Sequence, residues 1–326
     1  MPPLRRTAKG QERRVGVELE MGGIDLDTAS AVLSRHVGAN VEKVSRYEHY
    51  VNGDSAGRWG IELDFAYLKN RAKEDGVTEG ILGEVENAAE DLIRKGAEVI
   101  VPVEVVGPPL PLSRLDEIEV IIGKLREAGA RGTTDEAIYA FSMQFNPELP
   151  NLEAGTITAY VQAFLCLHDW LKGRAGVDLA RRLTAYVNPF PDEYVRKVVD
   201  DGYEPNLNEL IDDYLECNPT RNRALDMLPL FSHLDETRVR NVVDDDRIKP
   251  RPTLHYRLPN CEIDRAEWGF HRAWNDWLVV EELAAAPGRL DELCGLYTEF
   301  LDAPTRNPFA NWADQTQTWL DSCAGR

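Results

Sequence analysis

Arg14-Val-Gly-Val-Glu-Leu-Glu-Met21 alternates strictly, with Val15, Val17, Leu19 and Met21 on one parity and Gly16, Glu18 and Glu20 on the other. Alternate side chains of a β-strand share a face, so the stretch predicts a strand with an apolar back. Glu18 and Glu20 then stand about 6.6 Å apart on its polar side. Carboxylates held that close repel unless a cation or a proton lies between them, and hard divalent cations take such oxygen ligands. Half-exposed strands also carry acids on their wet side. A single Glu-x-Glu therefore does not choose between a metal site and a solvated face, and the other strands must decide.

The pattern recurs. From Arg58 to Phe65, Trp59, Ile61, Leu63 and Phe65 oppose Gly60, Glu62 and Asp64, behind the turn-forming run Asn52–Gly57. A strand from Glu98 to Val106 presents Glu104 just before Gly107-Pro108-Pro109, and Val41 to Val51 alternates as a further strand. Between Ala137 and Asn146, Phe141, Met143 and Phe145 oppose Ser142, Gln144 and Asn146; in the last strand, Arg251–Leu258, Thr253, His255 and Arg257 share one parity. Helical spacing predicts helices from Asp27–Thr28 to His36, over Thr78–Lys95, and from Ser113, with Asp116 completing a capping box, to Gly129. Further helices are predicted over 152–171, 194–200, 207–214, Arg223–Leu228, 266–285 and 289–300. Strands and helices so interspersed predict an α+β fold whose sheet has helices on its apolar back and a polar face rich in oxygen ligands. Magnesium–nucleotide chemistry suits that face, with an arginine to hold a transferring phosphoryl group. No Gly-x-x-x-x-Gly-Lys-Ser/Thr loop and no Gly-x-Gly-x-x-Gly is present.

Composition narrows the classes. The 326 residues carry 37 Lys and Arg against 56 Asp and Glu, a net charge of −19, which argues against broad contact with nucleic acid or anionic lipid. The opening Met1–Arg6 lacks the apolar core of a signal peptide, and no apolar run approaches the roughly 18 residues of a membrane span. Five scattered cysteines without a Cys-x-x-Cys pair fit free thiols in a reducing cytoplasm. A flexible basic arm is expected over 1–12, one domain over 13–303, and a tail or helix over 304–326. His49, His168, His233 and His271 lack partners at ligand spacing, Trp274 and Trp277 read as packing, and Asp244–Asp246 lacks the rest of a calcium loop. Arg181-Arg182 reads as a charge pair closing a helix.

The order of motifs resembles that of the amidoligase family, which belongs with the carboxylate–amine ligases related to glutamine synthetase and glutamate–cysteine ligase. The resemblance rests on Gly16-Val-Glu-Leu-Glu20, Trp59 with Asp64, and Glu104-Val-Val-Gly-Pro-Pro-Leu110. It continues with Arg221-Asn-Arg-Ala-Leu-Asp-Met-Leu-Pro-Leu230 and Thr253-Leu-His-Tyr-Arg-Leu-Pro-Asn260. It implies a glutamine-synthetase-like curved antiparallel sheet whose concave face binds ATP with Mg²⁺ or Mn²⁺. By position, Glu18, Glu20 and Glu104 become metal ligands, with Asp64 beside the metals or substrate as a catalytic residue; Glu62, on the same polar parity, is expected as a further metal ligand. Trp59 lies near the nucleotide, Arg257 on the phosphates, and Arg221 on phosphate or a substrate carboxylate. The implied partners are a small-molecule or peptide carboxylate and an amine, and a homo-oligomer is left open.

Two positions depart from the family pattern. Where its Gly-x-His-Val-His strand belongs, this chain reads Ala140-Phe-Ser-Met-Gln-Phe-Asn146, so Ser142 and Gln144, or after a slip Gln144 and Asn146, replace the histidines. The glutamate expected two residues before the arginine is His255. An exchange of the imidazole between strands, with His255 as metal ligand, accounts for both. The expected activity is amide-bond formation through an acyl phosphate. A catalytically silent nucleotide-binding protein and another magnesium-dependent phosphoryl-transfer enzyme stay open as alternatives.

Overall fold

In the computed structural model, residues 1–64, 102–133, 141–176, 188–303 and 311–324 are described. The chain divides into two compact units. A strand-rich unit comprises Gly16–Gln144 and Asn260–Phe270; a helical unit comprises Met1–Val15, Phe145–Pro259 and His271–Arg326.

In the strand-rich unit the alternating stretch forms β1, Arg14–Met21, whose first two residues belong to the helical unit. Val17, Leu19 and Met21 are buried, while Glu18 and Glu20 keep partial exposure. The other strands are β2 (Val41–Lys43), β3 (Glu48–Asp54), β4 (Gly57–Leu63), β5 (Val103–Val106) and the short β6 (Leu110–Pro111). They lie in the order β2-β3-β4-β5-β1, with β6 also on β1. The pairings along this path are antiparallel. Helix α1, Leu26–Val37, starts where Asp25 Oδ1 accepts the Thr28 N–H at 2.7 Å, and stops at Gly38, whose φ of 75° suits glycine. It buries Leu26, Ala29, Val32 and Leu33 as part of the apolar core that also holds Val51, Trp59, Ile61, Val103 and Val105. Helix α2, Asp116–Glu127, adds Ile118, Ile121, Ile122 and Leu125 to that core. The hairpin tip between β3 and β4 is tied down by Asp54, which accepts from Arg114 at 2.7 and 2.9 Å and from the Trp59 indole at 3.1 Å.

In the helical unit, β7 (Met143–Pro147, of which Phe145–Pro147 belong here), β9 (His255–Tyr256) and β8 (Leu225–Asp226) are antiparallel neighbours. The unit also carries a set of helices. These are α3 (Ala154–Arg174), α4 (Asp192–Val199), α5 (Leu207–Cys217), α6 (Leu228–Leu234), α7 (Glu236–Arg240), α8 (Phe270–Ala284), α9 (Pro287–Asp302) and α10 (Trp312–Ala324). Tyr256 sits at the hub: its ring centroid is 5.0 Å from Phe145, 5.9 Å from Phe164 and 5.1 Å from Trp277. Beside it, Glu281 receives both ends of the Arg13 guanidinium at 2.9 and 2.7 Å, the Trp277 indole at 3.0 Å and the Tyr160 hydroxyl. Arg13 also donates to the carbonyls of Leu4 and Glu148, so the N-terminal segment is pinned to this unit.

Several expectations need correction. Val41–Val51 is not one strand but the hairpin β2–β3, folded at Ser45, whose hydroxyl takes the Tyr47 N–H at 3.1 Å. The N-cap of α2 is Leu115, not Ser113, and its side chain makes no cap bond: Leu112–Arg114 form a 3-10 turn that feeds the helix directly. Arg223–Leu228 is not helical, because Leu225–Asp226 is a strand held between neighbours and the helix begins only at Leu228. The helix expected over Thr78–Lys95 and the Arg181-Arg182 pair lie outside the described residues. His49 is a satisfied core histidine bonded to the Ser30 hydroxyl at 2.9 Å. Trp274 and Trp277 are buried packing residues. Among the described residues, no helix is long and apolar enough to cross a membrane.

Candidate active site

The antiparallel register of the strand-rich unit aligns acids across its strands. Glu20 stands opposite Glu104, Glu104 opposite Glu62, and Glu62 opposite Glu48, so one row of four glutamates crosses β1, β5, β4 and β3. Directly opposed residues of neighbouring strands point to the same side, with Cβ atoms about 5 Å apart. The next row on that face holds Glu18, Val106, Gly60 and Tyr50. Asp64 continues the parity of Glu62 just past β4, where its N–H reaches the Pro102 carbonyl at 3.0 Å. The structure thus brings Glu18, Glu20, Glu62, Glu104 and Asp64 together.

Their electrostatics are those of crowded acids. The Glu104 carboxyl is pushed well above the ordinary range, first by burial and then by Glu18, Glu20, Asp64 and Glu62. Glu62 is also raised, chiefly by burial, while a hydrogen bond with Glu104 opposes the shift. Two carboxyls that bond each other share a proton between them. Glu20 has a further tie: its Oε2 accepts the Ser142 N–H at 2.8 Å, and its own N–H reaches the Ser142 carbonyl at 3.0 Å. Continuing that antiparallel register sets Gln144 opposite Glu18, on the acidic face. Trp59 lies on the other parity, buried behind the sheet with its indole on Asp54.

The helical unit holds a second group. Asp226 is fully buried and stands opposite His255, and Arg257 donates to it through Nη2 at 3.1 Å. Burial raises the Asp226 carboxyl, against the pull of Arg257 and Arg221. His255 is pushed well below its ordinary value by burial and by Arg257, Arg251 and Arg221, which keeps it neutral near pH 7. Its surroundings favour an anion rather than a cation. Arg221 has a buried Nε with no hydrogen-bond partner among the described residues. Two guanidiniums with one buried carboxylate leave net positive charge, the setting in which arginine holds phosphate or carboxylate.

Hard carboxylate oxygens are the donors that Mg²⁺ and Mn²⁺ prefer, so the acidic row fits such cations by chemistry. Among the described residues, no three His, Cys, Asp or Glu side chains already converge as metal ligands. Sequence reasoning missed Glu48, because reading 41–51 as one strand hid the β2–β3 turn that brings it beside Glu62. It missed Asp226 because Ala224-Leu225-Asp226 carries helix-forming residues. Compared with known proteins, residues 11–279 match the profile of a family described as putative amidoligase enzyme. No curated protein and no solved structure matches the chain.

Proposed function

The chain belongs to this amidoligase family, and from that membership we propose that it is an ATP-dependent carboxylate–amine ligase on a glutamine-synthetase-like fold. The observation that carries the reading is the row Glu20–Glu104–Glu62 on three neighbouring strands of a chain that the family matches across most of its length. Glu18, Glu20, Glu62 and Glu104 would hold Mg²⁺ or Mn²⁺, whose charge neutralises ATP phosphates and polarises the γ-phosphoryl group. The substrate carboxylate attacks that phosphorus and ADP leaves. The amine then displaces inorganic phosphate from the acyl phosphate, closing the amide. Arg257 and Arg221 hold anionic oxygens, and Asp226 fixes the Arg257 guanidinium through its Nη2 bond. No nucleophilic side chain is required.

A nucleotide-binding protein without turnover is the second reading. It is favoured by the hydrogen bond that engages the Glu20 carboxylate on the Ser142 backbone. Two measurements separate the readings. Thermal unfolding with and without Mg-ATP is expected to show stabilisation of about 2.7 kcal/mol at a hundredfold excess over Kd in the wild type, lost in Glu104→Gln. ADP release is expected to require both a carboxylate and an amine. Without Mg²⁺ the Glu104→Gln variant should unfold at a higher temperature than the wild type at neutral pH, because a carboxyl whose pKa is raised by folding costs stability there and an amide does not. Stabilisation without ADP release would select the second reading; no Mg-ATP effect on the folded wild type would sink both.

A further inference from the structure

The helical unit holds a pair of thiols that none of the chemistry above uses. Cys166 on α3 and Cys294 on α9 have their sulfurs 3.6 Å apart, in hydrogen-bond contact, and neither is in a disulfide. Cys166 is fully buried and Cys294 is 4% exposed. Buried cysteines pack as small apolar residues, but two in contact can also be joined by oxidation. A disulfide needs the sulfurs to close to about 2.05 Å, a movement that side-chain rotation and a slight approach of the two helices supply. Burial, and after it the bond with Cys294, pushes the Cys166 thiol up, so near neutral pH it stays protonated. A small reagent has a way in. A cavity of about 570 Å³ lies one helical turn along from each sulfur: Asp169, three residues past Cys166, and Tyr297, three residues past Cys294, both line it. Trp312, whose indole donates to the Cys166 carbonyl at 2.8 Å, lines it as well. His168 and Lys172 add polar groups to the lining, which suits water and an oxidant of similar size.

We propose that Cys166 and Cys294 are a modification site, a dithiol that hydrogen peroxide entering from the cavity converts to a disulfide clamping α9 to α3. Cys294, the more exposed of the two, meets the oxidant first. Its thiolate attacks one peroxide oxygen, the O–O bond breaks, and the departing hydroxide takes up the proton the thiol gave away. The resulting sulfenic acid faces Cys166. The Cys166 sulfur, losing its proton, attacks the Cys294 sulfur, the S–O bond breaks and a second water leaves. Two thiols and one hydrogen peroxide become one disulfide and two waters; the sulfurs together lose the two electrons that the peroxide gains. A thiol reductant reverses the step by exchange. The site is independent of the ligase reading.

The test treats the folded full chain with hydrogen peroxide, blocks the remaining thiols with iodoacetamide under denaturing conditions, and maps the peptides by mass spectrometry without reductant. The expected product is the Cys166 peptide joined to the Cys294 peptide, lighter than the reduced pair by two hydrogen atoms and separated again by dithiothreitol. Peroxide added to the chain in urea should instead give linkages scattered among the five cysteines. The two residues are 128 positions apart in sequence, so the bond restricts a long stretch of the unfolded chain. The oxidised protein should therefore melt at least about 5 °C above the reduced one. Cys294→Ala should show neither the joined peptide nor the rise, and the wild-type map stands whether or not that variant folds. Cys166 and Cys294 both recovered as alkylated thiols, after the half-buried Cys217 and Cys323 have been oxidised, would overturn the proposal. So would a joined peptide whose formation leaves the midpoint unchanged or lowers it, because the bond would then not be a clamp.

Discussion

Replacing Glu281 with leucine should damage the protein more than replacing its partner Arg13 with methionine, and the double variant should recover much of the loss. Both side chains are almost fully buried, at 2% and 1% exposure, and they meet in a two-pronged ion pair. Removing one member of such a pair leaves the other charge buried and typically costs about 3–5 kcal/mol. In Arg13→Met, Glu281 keeps the Tyr160 and Trp277 donors, so the loss should fall near the lower figure. In Glu281→Leu, Arg13 loses its countercharge and those two donors lose their acceptor, which adds about 1–3 kcal/mol per buried group. For a unit of this size each kcal/mol moves the midpoint by about 2–4 °C, so Arg13→Met should melt roughly 6–12 °C below the wild type and Glu281→Leu lower still. The double variant carries no unpaired charge. Its loss should be smaller than the two single losses together by at least about 2 kcal/mol. Guanidinium unfolding of all four proteins, followed by tryptophan fluorescence, gives the comparison. Strict additivity would refute the reasoning, because the two side chains would then not be acting as a pair.

Two further outcomes follow from local geometry. The Arg114 guanidinium holds the Asp54 carboxyl down at about 2, so Asp54 contributes stability that is fully present above about pH 4 and lost as the pH falls toward 2. Asp54→Asn should cost about 2 kcal/mol at neutral pH, and urea titrations should show the gap between variant and wild type closing over that acid window. Helix α5 opens with a capping box in which Asn206 Oδ1 accepts the N–H groups of Asn208 and Glu209 while Glu209 returns a bond to the Asn206 N–H. Asn206→Ala should lower stability by about 1 kcal/mol in the same assay, with Asn206→Asp close to the wild type.

What could be read beforehand depended on whether a residue's role was local. β1 and β4 were legible because strict alternation is a property of the strand itself, and their acids fell on the exposed parity as that alternation requires. The helices beginning near 154, 207 and 287 were legible for the same reason, to within a few residues. The turn at Ser45 was not, since its only signal is a serine hydroxyl closing onto Tyr47 within an otherwise alternating run. Leu225–Asp226 was misread because its strand character comes from pairing with Tyr256 and His255, about thirty residues further along the chain, not from its own residues. The acids at Glu18, Glu20, Glu62 and Glu104 could be nominated one strand at a time. Their alignment into one row, with Glu48 added, is a matter of register, which no single strand encodes.

The placement of β1 also has a consequence for how the protein is made. Glu20 is bonded to Ser142, which lies 122 residues further along the chain. At the usual 5–20 residues per second of synthesis, β1 waits about 6–25 s on the ribosome before that neighbour exists. A waiting stretch of Val15, Val17, Leu19 and Met21 is the kind of segment that pairs with the wrong edge or with another nascent chain. Glu18 and Glu20 interrupt it with charge at every second position. Exchanging both for neutral residues would therefore be felt first as a loss of soluble nascent chain, before any folded molecule exists in which their other duties could be assayed.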